Sequence, residues 1–164
     1  MSKINEPLEE LTSDILLKHD MYKIPVNILK IAEYNEIDVY KTDLGKNISG
    51  AIKYNASDDK FAILLNENES NERQRFTLAH ELGHYFLHQS KLKNDEIHVD
   101  AVLYRNGINK EEERNVDYFA GALLMNRTLL EKIYEKTSSI NELAEIFEVS
   151  TSAMTVRLDI LGLL

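Results

Sequence analysis

The sequence predicts an α+β fold, in which helices surround a small antiparallel sheet and a pair of helices follows at the C-terminal end. Three observations lead to this prediction. Apolar residues recur at helical spacing near the N-terminus and along much of the second half, whereas residues 37–66 alternate as strands do. A length of 164 residues suits one compact domain, or a domain with a small appendage.

Composition narrows the class of protein. No apolar run approaches the ~18 residues that a membrane span requires, and the first residues lack the core of a signal peptide, so we expect a cytoplasmic protein without a membrane partner. The net charge of −9, from 19 basic and 28 acidic residues, works against binding a phosphate backbone. Direct contact with nucleic acid is therefore disfavoured.

The N-terminal part predicts packing helices followed by the sheet. Residues 8–19 have helical spacing, and Pro25 opens a second predicted helix. Three strands are then expected over residues 37–42, 48–55 and 60–66, with turns between them rich in Gly, Asn and Asp. An antiparallel arrangement is the economical interpretation.

The next predicted helix, residues 71–89, contains His-Glu-x-x-His. His80 and His84 lie one turn apart on one face, where two imidazoles can hold one zinc ion while Glu81 reaches water. Because the chain has no cysteine, zinc ligands must come from histidine, carboxylate and water. Gly83 costs this helix about 1 kcal/mol relative to alanine, which suggests that another backbone passes close to it. The alternative is a core helix whose histidines only hydrogen-bond to neighbours.

Another predicted helix, residues 111–126, supplies the third zinc ligand that the histidine helix lacks. Glu113 and Asp117 share one of its faces, one turn apart. Two histidines leave zinc without a third protein ligand, so we assign Glu113 as that ligand and Asp117 as the acceptor of a ligating histidine's other ring proton. Acidic residues at a helix start are usually solvated, which is how we interpret Glu111 and Glu112.

Together these motifs resemble a known family. The stretch Arg75-Phe-Thr-Leu-Ala-His80-Glu-Leu-Gly-His84 with the later His88, and Glu113-Arg-x-x-Asp117-x-Phe-Ala-x-x-Leu-Leu-Met125, resemble the ImmA/IrrE family of zinc metallopeptidases. The family often has asparagine where this chain has Asp117, and either side chain can accept a histidine N–H.

The resemblance implies a zincin-like core with one Zn²⁺ per chain. It also implies a cytoplasmic, site-specific endopeptidase that cleaves and inactivates a helix-turn-helix repressor, commonly one encoded beside it on a phage or mobile element or in a stress response. Some family members act on toxins or by binding alone. A regulatory protein that binds a repressor or toxin without cutting it is therefore the alternative, and the oligomeric state is open.

The expected chemistry gives each residue a role. Zinc polarises the scissile carbonyl and a water molecule, and Glu81 takes the water's proton and passes it to the departing amine. We expect His88 to pack near the site rather than to bind metal, because each four-residue step turns the helix a further ~40°. In the polar stretch 90–110, we expect side chains that steady a developing oxyanion, with these candidates: His98, Tyr104 and Arg105.

The C-terminal segment, residues 137–164, predicts a helix-turn-helix-like pair appended to a peptidase domain of residues 1–136. Its two helices join at residues 148–150, and its expected core is Leu143, Ala144, Phe147, Val149, Met154 and Leu158. From residue 138 onward, Arg157 is the only base against four acids, whereas a helix that reads DNA should be basic. We therefore expect an appendage that packs on the peptidase or docks its substrate, rather than a DNA-binding module.

Overall fold

The computed structural model of the protein describes residues 3–94, the backbone of 97–101, and residues 110–164. In the described part, the chain forms seven helices and one four-stranded sheet, so the α+β class is confirmed. The elements in order are α1 (Glu6–Lys18), α2 (Ile28–Tyr34), β1 (Asp38–Thr42), β2 (Ile48–Asn55), β3 (Lys60–Asn66), α3 (Asn71–Asn94), β4 (Ile97–Ala101), α4 (Lys110–Leu124), α5 (Arg127–Tyr134), α6 (Ile140–Phe147) and α7 (Thr151–Leu161). Among these residues, no helix is both long enough and apolar enough to span a bilayer.

The sheet has the strand order β1-β3-β2-β4, with β1 and β4 at its edges. β2 is antiparallel to β3 and β4, but β1 runs parallel to β3, so the expectation of a wholly antiparallel sheet is wrong for this pair. The reason is that the loop after β1 crosses the end of β3 instead of turning back beside β1. Asn66, the buried last residue of β3, fastens this crossing: its amide nitrogen donates to the carbonyls of Gly45 and Ile48 at 2.7 and 2.9 Å.

Helix α3 lies on one face of the sheet. Alternate residues of β3 (Phe61, Ile63 and Leu65) are buried, as period-two alternation requires of a strand with one covered face. They join the apolar side chains of α3, Leu78 and Leu82, in a single hydrophobic core. The site therefore sits on a helix that is held by the sheet behind it.

Helix boundaries follow local capping chemistry. The side chain of Asn5 caps α1, and that of Asn27 caps α2. The second predicted helix therefore begins at Ile28, three residues after Pro25. Helix α3 departs from helical geometry at His88 (φ −135°), one residue before the predicted end at 89.

The C-terminal pair α6 and α7 packs as the sequence predicts. All six expected core residues are buried, and residues 148–150 join the helices, with Glu148 left-handed (φ 52°). Arg75 of α3 ties this turn to the body of the protein by donating to the carbonyls of Glu148 (3.1 Å) and Val26 (3.0 Å). The pair is thus attached to the same helix that carries the histidine motif.

Candidate metal centre

Helix α3 places His80 and His84 side by side in the interior. Their ring centroids lie 5.0 Å apart, and the two residues are only 4% and 3% exposed. One helical turn separates them, which is why both rings project from the same face. Their local geometry comes from sequence spacing alone, whereas their burial comes from packing against α4.

Helix α4 brings Glu113 to these rings. Its Oε2 lies 3.3 Å from Nε2 of His80, and its Oε1 lies 3.1 Å from Nε2 of His84. One ligand atom from each of the three residues falls within 4.8 Å of the others. Ligands bound tetrahedrally to zinc at about 2.1 Å lie about 3.4 Å apart, so two imidazole nitrogens and one carboxylate oxygen here fit that ion.

Asp117 lies one turn further along α4, on the other side of the His80 ring. Its Oδ1 is 2.8 Å from Nδ1 of His80. With this carboxylate accepting the Nδ1 proton, the lone pair of the neutral ring lies on Nε2, the atom that faces Glu113. Glu113 and Asp117, both on α4, thus contact the two ring nitrogens of His80.

Glu81 is fully buried between α3 and the sheet. The strand β2 can pass this close only because residue 50 is glycine. A β-carbon added to Gly50 would lie 2.5 Å from Cγ2 of Thr77 and 2.8 Å from the carbonyl oxygen of Leu64, and 3.7 Å from Oε1 of Glu81. The sheet therefore forms one wall around the Glu81 carboxylate.

Gly83 plays the equivalent part between the two motif helices. A β-carbon at this position would lie 3.0 Å from Cγ1 of Val116 and 3.4 Å from its carbonyl oxygen. The sequence analysis predicted such a close backbone, because glycine is unfavourable inside a helix unless a neighbour needs the space. It brings α4 near enough for Glu113 to reach the histidines.

Comparison with known proteins agrees with the geometry. Residues 32–159, well over half of the chain, match the model of a peptidase family described as the IrrE N-terminal-like domain. The chain belongs to this family. It is 28% identical over 138 residues to Metallopeptidase ImmA of Bacillus subtilis (strain 168), covering 83% of this chain and 77% of that protein.

A solved structure, a Mycobacterium tuberculosis transcriptional regulator, has a similar fold. The TM-score is 0.67 at 18% sequence identity, and the match covers 94% of this chain. The chain spans about half (47%) of the length of that structure. At this identity the likeness concerns the fold alone.

The remaining predicted residues of this IrrE-type domain are placed as follows. His88 stands at the kink of α3, with its ring 5.7 Å from that of His84, and is not part of the three-residue cluster. His98 belongs to β4, where its backbone pairs with Ile52. The side-chain prediction for His98 lies outside the described residues, as do Tyr104 and Arg105 entirely.

An ion pair joins the C-terminal end of α3 to the N-terminal end of α4, next to the metal centre. Lys91 of α3 donates to Oε2 of Glu112 at 2.7 Å, and this hydrogen bond lowers the pKa of the Glu112 carboxyl. Glu112 is thus occupied by a lysine, whereas its neighbour Glu113 turns inward. The sequence interpretation of Glu112 as a surface residue agrees with this contact.

A buried polar network escaped the sequence analysis. Arg157 of α7 is 2% exposed and binds the Glu9 carboxylate through both terminal nitrogens, at 2.7 and 2.9 Å. Tyr118 of α4 donates to the same carboxylate at 2.6 Å. Burial alone would raise the pKa of Glu9, but the hydrogen bonds and charge of Arg157 outweigh it and lower that pKa. No local pattern could reveal a pair separated by almost the whole chain.

Proposed function

We propose that this protein is a zinc-dependent, site-specific endopeptidase that cleaves and inactivates a helix-turn-helix repressor in the cytoplasm. The observation that carries the proposal is the convergence of His80, His84 and Glu113 beside a fully buried Glu81. Membership of a peptidase family supports the reaction class. The name of the relative Metallopeptidase ImmA supports the same class.

In this proposal His80, His84 and Glu113 hold one Zn²⁺ per chain. When bound, zinc supplies a Lewis acid that polarises a carbonyl and makes water a better nucleophile. Glu81 accepts the proton of the attacking water and delivers it to the amine that leaves. Asp117 keeps the His80 ring in the tautomer and orientation that ligation needs, through its 2.8 Å contact.

The substrate is the finer part of the proposal. A protein substrate, rather than DNA, is favoured because Arg157, the only base in residues 138–164, is buried against Glu9 and offers no charge to a phosphate. Residues 1–136 would form the peptidase domain, and residues 137–164 an appendage that contributes to docking. Release of phage, mobile-element or stress genes would follow from loss of the repressor.

Co-expression with the helix-turn-helix repressor encoded nearest to this gene tests the proposal. Wild type should cut the repressor at one site, visible as two fragments by mass spectrometry, and Glu81→Gln should retain zinc without cutting. Cleavage by Glu81→Gln at the wild-type rate would contradict the role of Glu81. If Glu81→Gln relieves repression while the repressor stays intact, the protein is instead a regulator that acts by binding.

A further inference from the structure

A cavity of about 490 Å³ opens between α3, α4 and α7, on the side of His80 that Asp117 contacts. His80 and Asp117 form part of its wall, so it continues the proposed active site rather than standing apart from it. The rest of its lining is largely apolar and comes from three separate segments of the chain: Phe76, Met125, Ala153, Val156 and Ile160. Val156 is 60% exposed, so the α7 side is open to solvent.

Gly121 of α4 lines this cavity and has no packing reason to be glycine. Among the glycines that the structure describes, Gly45 and Gly162 have positive φ, and Gly50 and Gly83 face neighbours too close for a side chain. Among the residues that the structure describes, a β-carbon at Gly121 would meet only the terminal methyl of Met125, at 3.9 Å, which is ordinary contact. Glycine inside a helix costs about 1 kcal/mol relative to alanine. The space at this position is therefore kept free without serving the chain's own packing.

We propose that this cavity binds a large apolar side chain of the peptide substrate, and that Gly121 sets the size it accepts. The inference rests on the proposed peptidase function. Gly121 lies two turns beyond Glu113, about 12 Å along the helix axis, so the occupant is the side chain of a substrate residue a few positions away from the scissile bond. The volume lies within the range of about 300–1,000 Å³ that is common for ligand pockets.

Two of the three arginines that line the cavity are already paired with acids. Arg157 borders the cavity, but its charge is neutralised by the Glu9 carboxylate, and the Met125 carbonyl accepts from its Nε at 3.0 Å. Arg73, also in the lining, makes an ion pair with Glu69 at 3.6 Å. Arg114 and Glu72, which also line the cavity, carry opposite charges, so the lining gives a charged occupant of neither sign a clear advantage. Contact with the apolar side chains then favours leucine, methionine or phenylalanine over a charged residue.

The absence of cysteine allows a binding test that needs no cleavage. In a Glu81→Gln background, Gly121→Cys carries the single thiol of the protein. The probes are two degenerate octapeptide mixtures that differ at one central position, which is leucine in one and serine in the other. The leucine mixture should slow alkylation by iodoacetamide several-fold and the serine mixture should not. Ser57→Cys, in the exposed turn between β2 and β3, is the matched control and should be unaffected by either.

Equal protection by both mixtures, or protection by neither, would overturn the proposal. Cleavage profiling on a tryptic peptide library separates this failure from failure of the peptidase function. Gly121→Leu should lower kcat/KM for peptides with a large apolar residue at the selected position by roughly 10–100-fold relative to those with a small one. If wild type cuts peptides without apolar preference, the pocket proposal is refuted and the peptidase function is retained. If the leucine mixture protects the thiol but wild type cuts nothing, the pocket is retained and the peptidase function is refuted. Unfolding curves and zinc content of the Gly121 variants, with Gly121→Ala as the smallest substitution, check that the fold is retained.

Discussion

Replacing Arg157 by methionine should lower the free energy of unfolding by about 3–5 kcal/mol, because it leaves the Glu9 carboxylate buried without its cation. The two side chains are only 2% and 7% exposed. The substitution removes two charge-assisted hydrogen bonds to Glu9 and one to the Met125 carbonyl. For a chain of this length, the loss corresponds to a fall in Tm of roughly 6–20 °C.

An exposed pair between the same two parts of the chain is the matched control. Lys3 and Asp159 are 2.6 Å apart, but their side chains are 60% and 53% exposed. Lys3→Met should therefore cost less than about 1 kcal/mol. Both variants are compared with wild type by urea unfolding, followed by circular dichroism.

A double-mutant cycle tests the reasoning behind the magnitude. Removing both charges with Glu9→Gln and Arg157→Met should cost less than the sum of the single losses, because the double variant leaves no buried charge unpaired. Additive losses, or a loss for Arg157→Met no greater than that for Lys3→Met, would refute the account of this network.

The same pair has a pH dependence of defined sign. Because the folded state lowers the pKa of Glu9 below its usual 4.5, the pair stabilises the protein fully above that pH. Stability is then lost as pH falls through the lower, folded-state pKa. Wild type should therefore lose stability between pH 5 and acid more steeply than Glu9→Gln, and parallel curves would contradict the assignment.

Two further predictions concern the approach of α4 to α3. Gly83→Ala should cost about 1–3 kcal/mol through overpacking and weaken zinc binding, although alanine is the better helix former. Gly121→Ala, with no close neighbour in the described part of the chain, should not destabilise the protein; equal unfolding curves for the two variants would contradict this. Asp117→Ala should weaken zinc binding about 10–100-fold, and Asp117→Asn much less, since an amide oxygen still accepts the ring proton. Equal zinc affinities of these two variants in a chelator titration would remove the proposed role of Asp117.

Short-range patterns in the sequence were sufficient for much of the fold. The strands β2 and β3 and both C-terminal helices lie where alternation and helical spacing predict them. The histidine pair on α3 follows from a four-residue spacing, which fixes the face of a helix without any tertiary information. Gly83 also predicted a tertiary contact, because glycine is unfavourable inside a helix and therefore indicated a close neighbouring backbone.

Features that depend on long-range packing could not be predicted in this way. The parallel pairing of β1 with β3 depends on a crossing loop held by Asn66, and strand β4 was hidden in a short apolar piece of a polar stretch. Helix α5 was not identified either. The network of Arg157 and Glu9 and the cavity at Gly121 each combine segments that are remote in sequence, so no single stretch carries their signal.

Zinc titration against a competing chelator tests the central claim most directly. Wild type should bind one zinc ion per chain, and Glu113→Ala should lose more than the roughly 10–100-fold in affinity that removal of an outer residue causes. The neighbouring Glu112→Ala, which removes only the partner of Lys91, should bind as wild type does. Unchanged zinc affinity in Glu113→Ala would contradict the assignment of His80, His84 and Glu113 as one metal centre.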